Sequence, residues 1–192
     1  GTQWQLSGVV AENVTNSSWN QAFETYIGEP CDLEVFTYGN MWSNLNDWNG
    51  SPDSLTGQDN ANIEGGAITN MQDYGKILLM HLRGGQCGDN QVLSPEAIDF
   101  MQVDRAGPLG GPNYGMGWWI SQGDVDNDGF LYDGGAFGAM AWLDTARGIG
   151  GYVAVDDYSM EEAGEIRRYV REVIRPLQQQ IVDVARATAG IR

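Results

Sequence analysis

The chain has 192 residues and a formal net charge of −16, with 26 acidic residues against 10 basic ones. Because nucleic acids and anionic membranes repel such a charge, we expect neither as a partner. The hydrophobic fraction of 42% is typical of a globular chain and excludes a disordered one. No apolar run approaches the roughly 20 residues that a membrane-spanning helix needs. The only lysine is Lys76 and the only histidine is His81, which limits the available acid–base chemistry.

Two helices joined by a short exposed loop are predicted at the start of the chain. Residues 3–13 carry apolar side chains at near-helical spacing. Ser18 and Gln21 have the spacing of a capping box, in which each side chain bonds the other residue's backbone N–H at a helix start. N-glycosylation sequons begin at Asn13 and Asn16, and we expect both in the loop. The two sequons favour a secreted protein.

Residues 31–66 are predicted to be irregular, because Asn, Asp, Gly and Ser dominate the segment. Trp42 and Trp48 lie within it. The favoured interpretation is a surface loop that these tryptophans attach to the core. The alternative is one wall of an active site, with the tryptophans in contact with substrate.

The two cysteines, Cys31 and Cys87, both lie beside turn residues. An even number of cysteines in a secreted chain permits a disulfide but does not require one. The sequence therefore leaves open a Cys31–Cys87 disulfide or two free buried thiols.

A helix is predicted from Thr69 or Asn70 to Arg83, with a cap at its start and glycines after its end. It contains His81 within an almost wholly apolar run. We favour a histidine at the edge of a packed helix face over a catalytic or metal-binding one, because no second histidine or ligand cluster accompanies it. Another helix is predicted to begin after Ser94, with proline at its first position.

An antiparallel sheet is predicted after the Gly- and Pro-rich segment 107–111, which marks a crossing between lobes. Short aromatic and β-branched runs separated by Gly, Asp and Asn predict strands at residues 114–120, 130–136, 139–144 and 151–156. A long amphipathic helix is predicted over residues 159–189 and would cover this sheet. Pro176 lies inside it and is expected to remove one hydrogen bond and kink the helix.

The triplet Asp133-Gly134-Gly135 is the first candidate for chemistry. Glycines on a strand indicate close approach of another backbone or of a ligand. A strand edge without side chains can direct a backbone N–H at a bound carbonyl oxygen, which is the geometry of an oxyanion hole.

Four blocks of sequence resemble, in order, the C-terminal half of the serine β-lactamase, penicillin-binding-protein and class C-like esterase family. The blocks are residues 1–12, 65–76, 114–118 and 133–138. They resemble the helix after the family's tyrosine motif, its Gly-Gly-x-x-Ser-Thr-x-x-Asp-Tyr helix start, its Tyr-Gly-Leu-Gly-Trp strand, and its third motif, K-T-G or H-x-G. Together they cover essentially the whole chain.

The resemblance implies an α/β (α+β) fold of the β-lactamase/DD-peptidase type, present here in incomplete form. It implies that Ala136 donates an oxyanion N–H beside Gly135, and that Asp133 and Gly134 line a substrate site. The expected substrate is a small ester or amide, hydrolysed without a cofactor.

The departures from the family pattern concern the nucleophile and substrate charge. The family's nucleophile is the Ser of an S-x-x-K motif, but the residue three before Lys76 is Asp73. The motif tyrosine would fall just before Gly1. Asp133 replaces a cationic or imidazole residue, so a neutral or cationic substrate is favoured over an anionic one. We therefore expect the chain to be inactive alone, with an N-terminal part of the same protein or precursor supplying the nucleophile.

Asp124, Asp126 and Asp128, followed by Gly129, match the opening of a calcium-binding loop. The Glu expected at the twelfth position is absent, since Gly135 stands there. Asp, Asn and Gly also favour turns, so a polar hairpin turn is the preferred interpretation and calcium the alternative.

The sequence thus predicts a helical lobe with a long irregular loop over residues 1–110. Residues 111–192 are predicted to form an antiparallel sheet and the helix that covers it. The favoured function is the C-terminal portion of a secreted, periplasmic or extracellular serine hydrolase. The alternative is a non-catalytic extracellular binding or structural protein on the same fold, which the altered third motif and the sequons favour. The preserved order of the blocks favours the hydrolase.

Overall fold

The computed structural model describes residues 2–40, 61–120, 129–135, 138–154 and 168–190. Trp42, Trp48 and the three aspartates of the predicted calcium loop lie outside these residues. The chain divides into two compact units. The first contains Gly1–Ile77 and Gln86–Val92, and the second contains Leu78–Gly85 and Leu93–Arg192. The predicted lobe boundary near residue 110 stays a prediction.

The first unit begins with the two predicted helices. Helix α1 spans Thr2–Thr15, and α2 spans Trp19–Phe23 and continues as a π-helical turn over Glu24–Gly28. The predicted capping box at the start of α2 is confirmed. The Gln21 N–H donates to Ser18 Oγ at 3.4 Å, and the Ser18 N–H donates to Gln21 Oε1 at 3.1 Å.

The loop between α1 and α2 is shorter than predicted. Asn13 lies inside α1, where its side-chain amide donates to the Val9 carbonyl at 2.8 Å. The Thr15 hydroxyl donates to the Ala11 carbonyl at 2.8 Å. Helix α1 continues through both residues, whose side chains bond carbonyls one turn back, so the placement of Asn13 in the loop is wrong. Asn16 does lie in the loop, where it is exposed and has a φ of 51°.

A small antiparallel pair of strands corrects the prediction that residues 31–66 are irregular throughout. β1 spans Phe36–Tyr38 and pairs with β2, which spans Ala67–Thr69. The Phe36 ring stacks on Phe23 of α2 with centroids 4.7 Å apart. Three residues are too few to give a period-two pattern, so the pairing with β2, rather than alternation, identifies the strand.

Helix α3 spans Met71–Leu82 and begins as predicted. Asn70 caps it, because its side-chain oxygen accepts the Asp73 N–H at 2.8 Å. The alternative cap, Thr69, bonds the Asn70 carbonyl instead.

The Asp73 side chain is 1% exposed and holds the segment before β1. One of its carboxylate oxygens accepts the backbone N–H groups of Val35 at 2.6 Å and Glu34 at 2.9 Å. Lys76 Nζ lies 3.2 Å from the other oxygen and also donates to the Asp32 carbonyl. Desolvation opposes ionisation of Asp73, but the two N–H groups and the ammonium outweigh it and lower the pKa of its carboxyl below the ordinary value.

The first unit also contains a disulfide between Cys31 and Cys87, which are 56 residues apart in sequence. Cys87 lies in β3 (Gln86–Cys87), which forms a hairpin with β4 (Asn90–Gln91). The Asn90 amide donates to the Pro30 carbonyl at 2.8 Å, next to the disulfide. The disulfide links two residues that are far apart in sequence, and it therefore restricts the conformations of the unfolded chain.

The second unit contains the predicted helix after Ser94. Helix α4 spans Pro95–Met101, and Ser94 Oγ accepts the Ala97 N–H at 3.1 Å. A single 3₁₀ turn, Gly107–Leu109, follows in the glycine- and proline-rich segment.

The block Tyr114-Gly-Met-Gly-Trp118 is a turn and not the predicted strand. The Gly115 N–H donates to the Trp118 carbonyl at 2.8 Å, and Gly117 has a φ of 87°. A Cβ atom on Gly115 would meet the Met101 carbonyl oxygen, so this glycine permits a close approach of two backbones. The glycines therefore bend the chain, and the strand begins only after the turn.

A four-stranded antiparallel sheet is the centre of the second unit. Its strands are β5 (Trp119–Ile120), β6 (Phe130–Gly134), β7 (Met140–Asp144) and β8 (Ile149–Val153). They lie in the order β5-β6-β7-β8, so each strand pairs with its neighbour in sequence, as predicted. Together with the helices, the sheet confirms the predicted α+β class. Leu131, Trp142 and Leu143 are each at most 3% exposed and are among its buried side chains.

Helix α5 spans Arg175–Gly190 and follows a π-helical segment over Val170–Ile174. The predicted helix therefore exists in its described part, and its hydrogen-bond register changes next to Pro176, which has no N–H to donate. Ile174 and Val182 are 6% and 1% exposed, so one face is buried. No helix among the described residues is long and apolar enough to cross a membrane.

Candidate functional site

The end of β6 carries the predicted site residues Asp133 and Gly134. Both are exposed, and they lie opposite Ala141 and Met140 of β7. A Cβ atom built on Gly134 would have no heavy atom within 4 Å. Packing within the described chain therefore does not explain why this position has no side chain.

A tight turn connects β6 to β7 and contains the rest of the predicted site. The Gly135 N–H donates to the Ala139 carbonyl at 2.7 Å, and the Gly138 N–H donates to the Gly135 carbonyl at 3.3 Å. Gly135 thus uses its own N–H within the chain and is not a free donor. The predicted oxyanion donor, Ala136, lies next to it but outside the described residues.

Asp133 differs from the other site residues because it carries charge. Partial desolvation raises the pKa of its carboxyl above the ordinary value. Among the described residues, none donates a hydrogen bond to this carboxylate. Its negative charge disfavours an anionic ligand.

Helix α5 holds this turn in place through Gln178. The side chain is 3% exposed, and its Nε2 donates to the Gly138 carbonyl at 2.7 Å. Gly138 is itself buried and has a φ of 101°, a conformation that favours glycine.

The opposite end of β7 is also attached to α5. Asp144 is 0% exposed, and one of its oxygens accepts from Arg186 Nε of α5 at 2.7 Å. Arg147, in the turn before β8, donates to the same oxygen at 2.9 Å. The Arg147 backbone N–H donates to the other carboxylate oxygen at 2.9 Å. Both oxygens of this buried carboxylate accept hydrogen bonds, so its role is structural.

A second pair of glycines, Gly150 and Gly151 on β8, lies in the same sheet. A Cβ atom on Gly151 would lie 2.9 Å from the ring of Trp142, which is directly opposite. One on Gly150 would lie 2.7 Å from the Leu143 side chain and 2.9 Å from the Trp142 carbonyl oxygen. Packing requires both of these glycines.

His81 behaves as a packed side chain. Its ring lies edge-on to Trp118 with centroids 5.4 Å apart, and burial lowers the pKa of its imidazole to about 4. It is therefore neutral near pH 7. In the part of the chain that the structure describes, no group of three or more His, Cys, Asp or Glu side chains could hold a metal ion. The predicted calcium ligands Asp124, Asp126 and Asp128 lie outside that part.

The sequence predicted Asp133, Gly134 and Gly135 but missed Gln178 and Asp144. A signal for Gln178 was present, since it lies four residues after Ile174 and four before Val182 on the buried face of α5. Asp144 ends a strand beside turn residues, where aspartate is common, so nothing in the sequence distinguished it.

The sheet, the attached helix and the exposed glycine strand end define the class of the protein, a β-lactamase-like hydrolase fold. The Beta-lactamase family model matches residues 2–175. The chain belongs to the β-lactamase family. No curated protein sequence matches it.

Solved structures of this fold resemble the chain at low sequence identity. One is a protein of Bacteroides dorei DSM 17855 provisionally assigned as a β-lactamase, with a TM-score of 0.58 and 19% identity. Another is EstCE1, a hydrolase with promiscuous acyltransferase activity, with a TM-score of 0.57 and 17% identity. A third is the LovD9 mutant of simvastatin synthase from Aspergillus terreus, with a TM-score of 0.55 and 16% identity.

The matches cover most of this chain but little more than half of the others. The alignments include 91%, 85% and 91% of this chain, against 57%, 53% and 53% of the B. dorei protein, EstCE1 and the synthase. The chain thus spans a little over half the length of the structures it matches, which agrees with the predicted incomplete fold.

Proposed function

We propose that this chain is the C-terminal portion of a β-lactamase-like serine hydrolase that cleaves a small ester or amide. In this proposal an N-terminal part of the same protein or precursor supplies the nucleophile. The observation that supports this most is the end of β6, where Gly134 is exposed and no atom of the described residues lies within 4 Å of the position that its side chain would take. A substrate can approach the backbone there.

The chemical role proposed for this strand end is stabilisation of an oxyanion. When an ester or amide carbonyl is attacked, negative charge develops on its oxygen, and a fixed backbone N–H stabilises that charge. The Gly135 N–H is bonded to Ala139, so we assign the donor role to the next N–H, that of Ala136. The bond from Gly135 fixes the backbone of the residue that precedes this donor in sequence.

Lys76 supports the proposal that the nucleophile and its base lie elsewhere. A lysine acts as a general base only when its amine is neutral and close to the nucleophile. Lys76 instead forms an ion pair with Asp73 at 3.2 Å and donates to the Asp32 carbonyl. The sequence holds no other lysine. The described residues of this chain thus offer no S-x-x-K arrangement.

Asp133 supports a neutral or cationic substrate. Its carboxyl is exposed at the strand end, three residues before the proposed oxyanion donor in sequence. An anionic substrate would be repelled by the ionised form, whereas an amine-bearing one would be attracted. The raised pKa of this carboxyl also makes the neutral form more accessible in weak acid.

We further propose an oxidising compartment outside the cytosol, in the periplasm or outside the cell. The Cys31–Cys87 disulfide supports this, because disulfides persist mainly in such compartments. Asn16 supports it as well, since its sequon lies in an exposed loop where a glycan could be attached.

The test is labelling of the complete gene product with a fluorescent fluorophosphonate, which reacts with activated serine nucleophiles. The proposal expects labelling that a Ser→Ala change in an upstream S-x-x-K motif abolishes. It expects residues 1–192 alone to remain unlabelled. An upstream sequence without such a motif, or a complete product that does not label, would favour a non-catalytic extracellular binding protein. Labelling of residues 1–192 alone would contradict the location of the nucleophile.

A further inference from the structure

The outer side of helix α1 is apolar although it is exposed. Leu6, Val9, Val10 and Val14 are 65%, 50%, 56% and 81% exposed. Their spacings of three and four residues place them in one stripe along the helix, which we call the α1 stripe. Single exposed apolar residues are common on proteins, whereas a continuous apolar surface indicates that another segment or molecule covers it.

The opposite side of α1 already packs against the first unit. Gly8 is buried, and a Cβ atom there would lie 2.7 Å from the Ile63 side chain. Gln5 Oε1 accepts the Ile63 N–H at 2.6 Å on the same side. Leu6 and Val10 are each two residues from Gly8, so they lie about 200° around the helix from it. The contacts that the described chain makes with α1 therefore leave the α1 stripe uncovered.

Charge is almost absent from α1. Its 14 residues include one charged side chain, Glu12, whose carboxylate accepts the Trp19 N–H at the start of α2 at 2.8 Å. Helix α4 has only 7 residues, yet it carries Glu96 and Asp99 at exposed positions. A helix with few charges and apolar residues on two sides is typical of a protein interior. Helix α1 thus has the composition of a buried helix.

The part of the fold that this chain lacks is the occupant that these observations favour. The chain spans only 57%, 53% and 53% of the B. dorei protein, EstCE1 and the synthase, which have the same fold. A second copy of the chain is disfavoured, because each copy carries a net charge of −16. A membrane surface is disfavoured because helices that lie on membranes are rich in Lys and Arg, and α1 contains neither.

We propose that the α1 stripe is the docking surface for a helix from the N-terminal part of the same protein. This inference rests on the proposed function, which assigns the nucleophile to that N-terminal part. The docking helix presents an apolar stripe of its own, so that the side chains of the two helices interdigitate. No charged residue of this helix faces the α1 stripe, because α1 offers no partner for a buried charge there.

Photo-crosslinking of the complete gene product identifies what covers the α1 stripe. p-Benzoylphenylalanine replaces Val14, which is the most exposed residue of the stripe and lies near the end of α1. We expect a cross-link within one molecule to a peptide that precedes Gly1. Cross-links only to residues 16–192, cross-links only between two copies, or no cross-link would overturn the inference.

Thiol labelling measures the same burial with a smaller substitution, and it decides the matter if the Val14 variant does not fold. Cys31 and Cys87 are paired, so Val10→Cys introduces the only free thiol of this chain. Asp99→Cys, at an exposed position of α4, is the matched control. In the complete protein we expect a maleimide to react about 100-fold more slowly at position 10, because a buried thiol reacts only through local opening. Equal rates at the two positions would overturn the inference.

Failure of this inference and failure of the proposed function give different results. A complete product that labels with the fluorophosphonate, but reacts with maleimide equally fast at positions 10 and 99, retains the hydrolase and loses the docking surface. A product that is protected at position 10 and cross-links to the N-terminal part, but does not label, retains the docking surface and refutes the hydrolase.

Discussion

Glycines lie at two places in the same sheet, Gly150 and Gly151 on β8 and Gly134 at the end of β6, and their surroundings are opposite. On β8, Gly150 and Gly151 lie against Leu143 and Trp142, and an added Cβ atom would come within 3 Å of these residues. On β6, Gly134 has open space where its side chain would be. Packing therefore requires glycine on β8. On β6, packing among the described residues does not require it.

The difference teaches how to interpret a glycine on a strand. Such a glycine indicates that something approaches the backbone, but the sequence does not say whether it is a side chain of the same protein or another molecule. The fold answers this for β8, where the Trp142 ring occupies the space. For β6 no described residue occupies the space beside Gly134, which is why the strand end is the candidate site.

The largest loss of stability is expected for Asp144→Ala, at the buried end of β7. It removes a buried carboxylate and leaves Arg147 and Arg186 without their partner. We expect the free energy of unfolding to fall by about 3 kcal/mol, since both arginines are partly exposed. Urea denaturation measures it. Asp99→Ala, at an exposed position of α4, is the control and should change it by less than about 0.5 kcal/mol.

The buried Asp73 should make stability depend on pH in the direction opposite to the exposed Asp133. The lowered pKa of Asp73 means that its ionised form stabilises the fold above the ordinary pKa and that this contribution is lost on acidification. The raised pKa of Asp133 means that its contribution is lost as the pH rises. Asp73→Asn should therefore lower the unfolding free energy by about 2 kcal/mol at pH 7 and flatten its fall towards pH 3.

Urea denaturation at several pH values checks this, with Asp133→Asn as the matched variant. That variant should make the decline towards low pH slightly steeper, because it removes a group whose protonation favours the folded state. An Asp73→Asn curve parallel to the wild-type curve would contradict the assigned pKa shift.

Gly151→Ala tests the packed member of the comparison directly. The added methyl group would lie 2.9 Å from three atoms of the Trp142 ring, which is 3% exposed and cannot move without disturbing its neighbours. We expect a loss of about 1.5 kcal/mol in thermal or urea unfolding, which is the usual cost of overpacking. A neutral or stabilising result would mean that packing does not require the β8 glycines. Gly134 and Gly151 would then no longer differ in this respect.

The smallest effect on stability is expected for Gly134→Ala. The added methyl group meets open space and the φ angle is not in the left-handed region, so the unfolding free energy should change by less than about 0.5 kcal/mol. Esterase activity of the complete protein should nevertheless fall, because the methyl group occupies space proposed for the substrate. Loss of stability comparable to that of Gly151→Ala would show that Gly134 is packed as Gly151 is.

The sheet and the helix starts could be predicted because local sequence determines them. Turn residues between short aromatic runs gave the strand order, and Ser18 and Ser94 marked helix starts through side-chain bonds to nearby N–H groups. The fold family could be recognised because four short blocks occur in a fixed order. The exposed strand end Asp133-Gly134 was predicted for the same reason.

The rest depends on contacts between residues distant in sequence. β1 was missed because its pairing with β2 and its contact with Phe23 are non-local. The turn at Tyr114–Trp118 was assigned to a strand because its aromatic residues suit one, although two glycines bend the backbone. The bond from Gln178 to Gly138 joins residues 40 positions apart, and no local pattern encodes it.

NMR of the complete protein before and after fluorophosphonate labelling tests most directly whether the strand end at Gly134 and Gly135 differs from Gly150 and Gly151 of β8. The phosphonyl group would place its oxygen in the proposed oxyanion hole. The account predicts that the backbone amide signals of Gly134 and Gly135 shift on labelling, whereas those of Gly150 and Gly151 do not. A labelled protein in which the β6 glycines remain unchanged would contradict the claim that their strand end faces the reacting group.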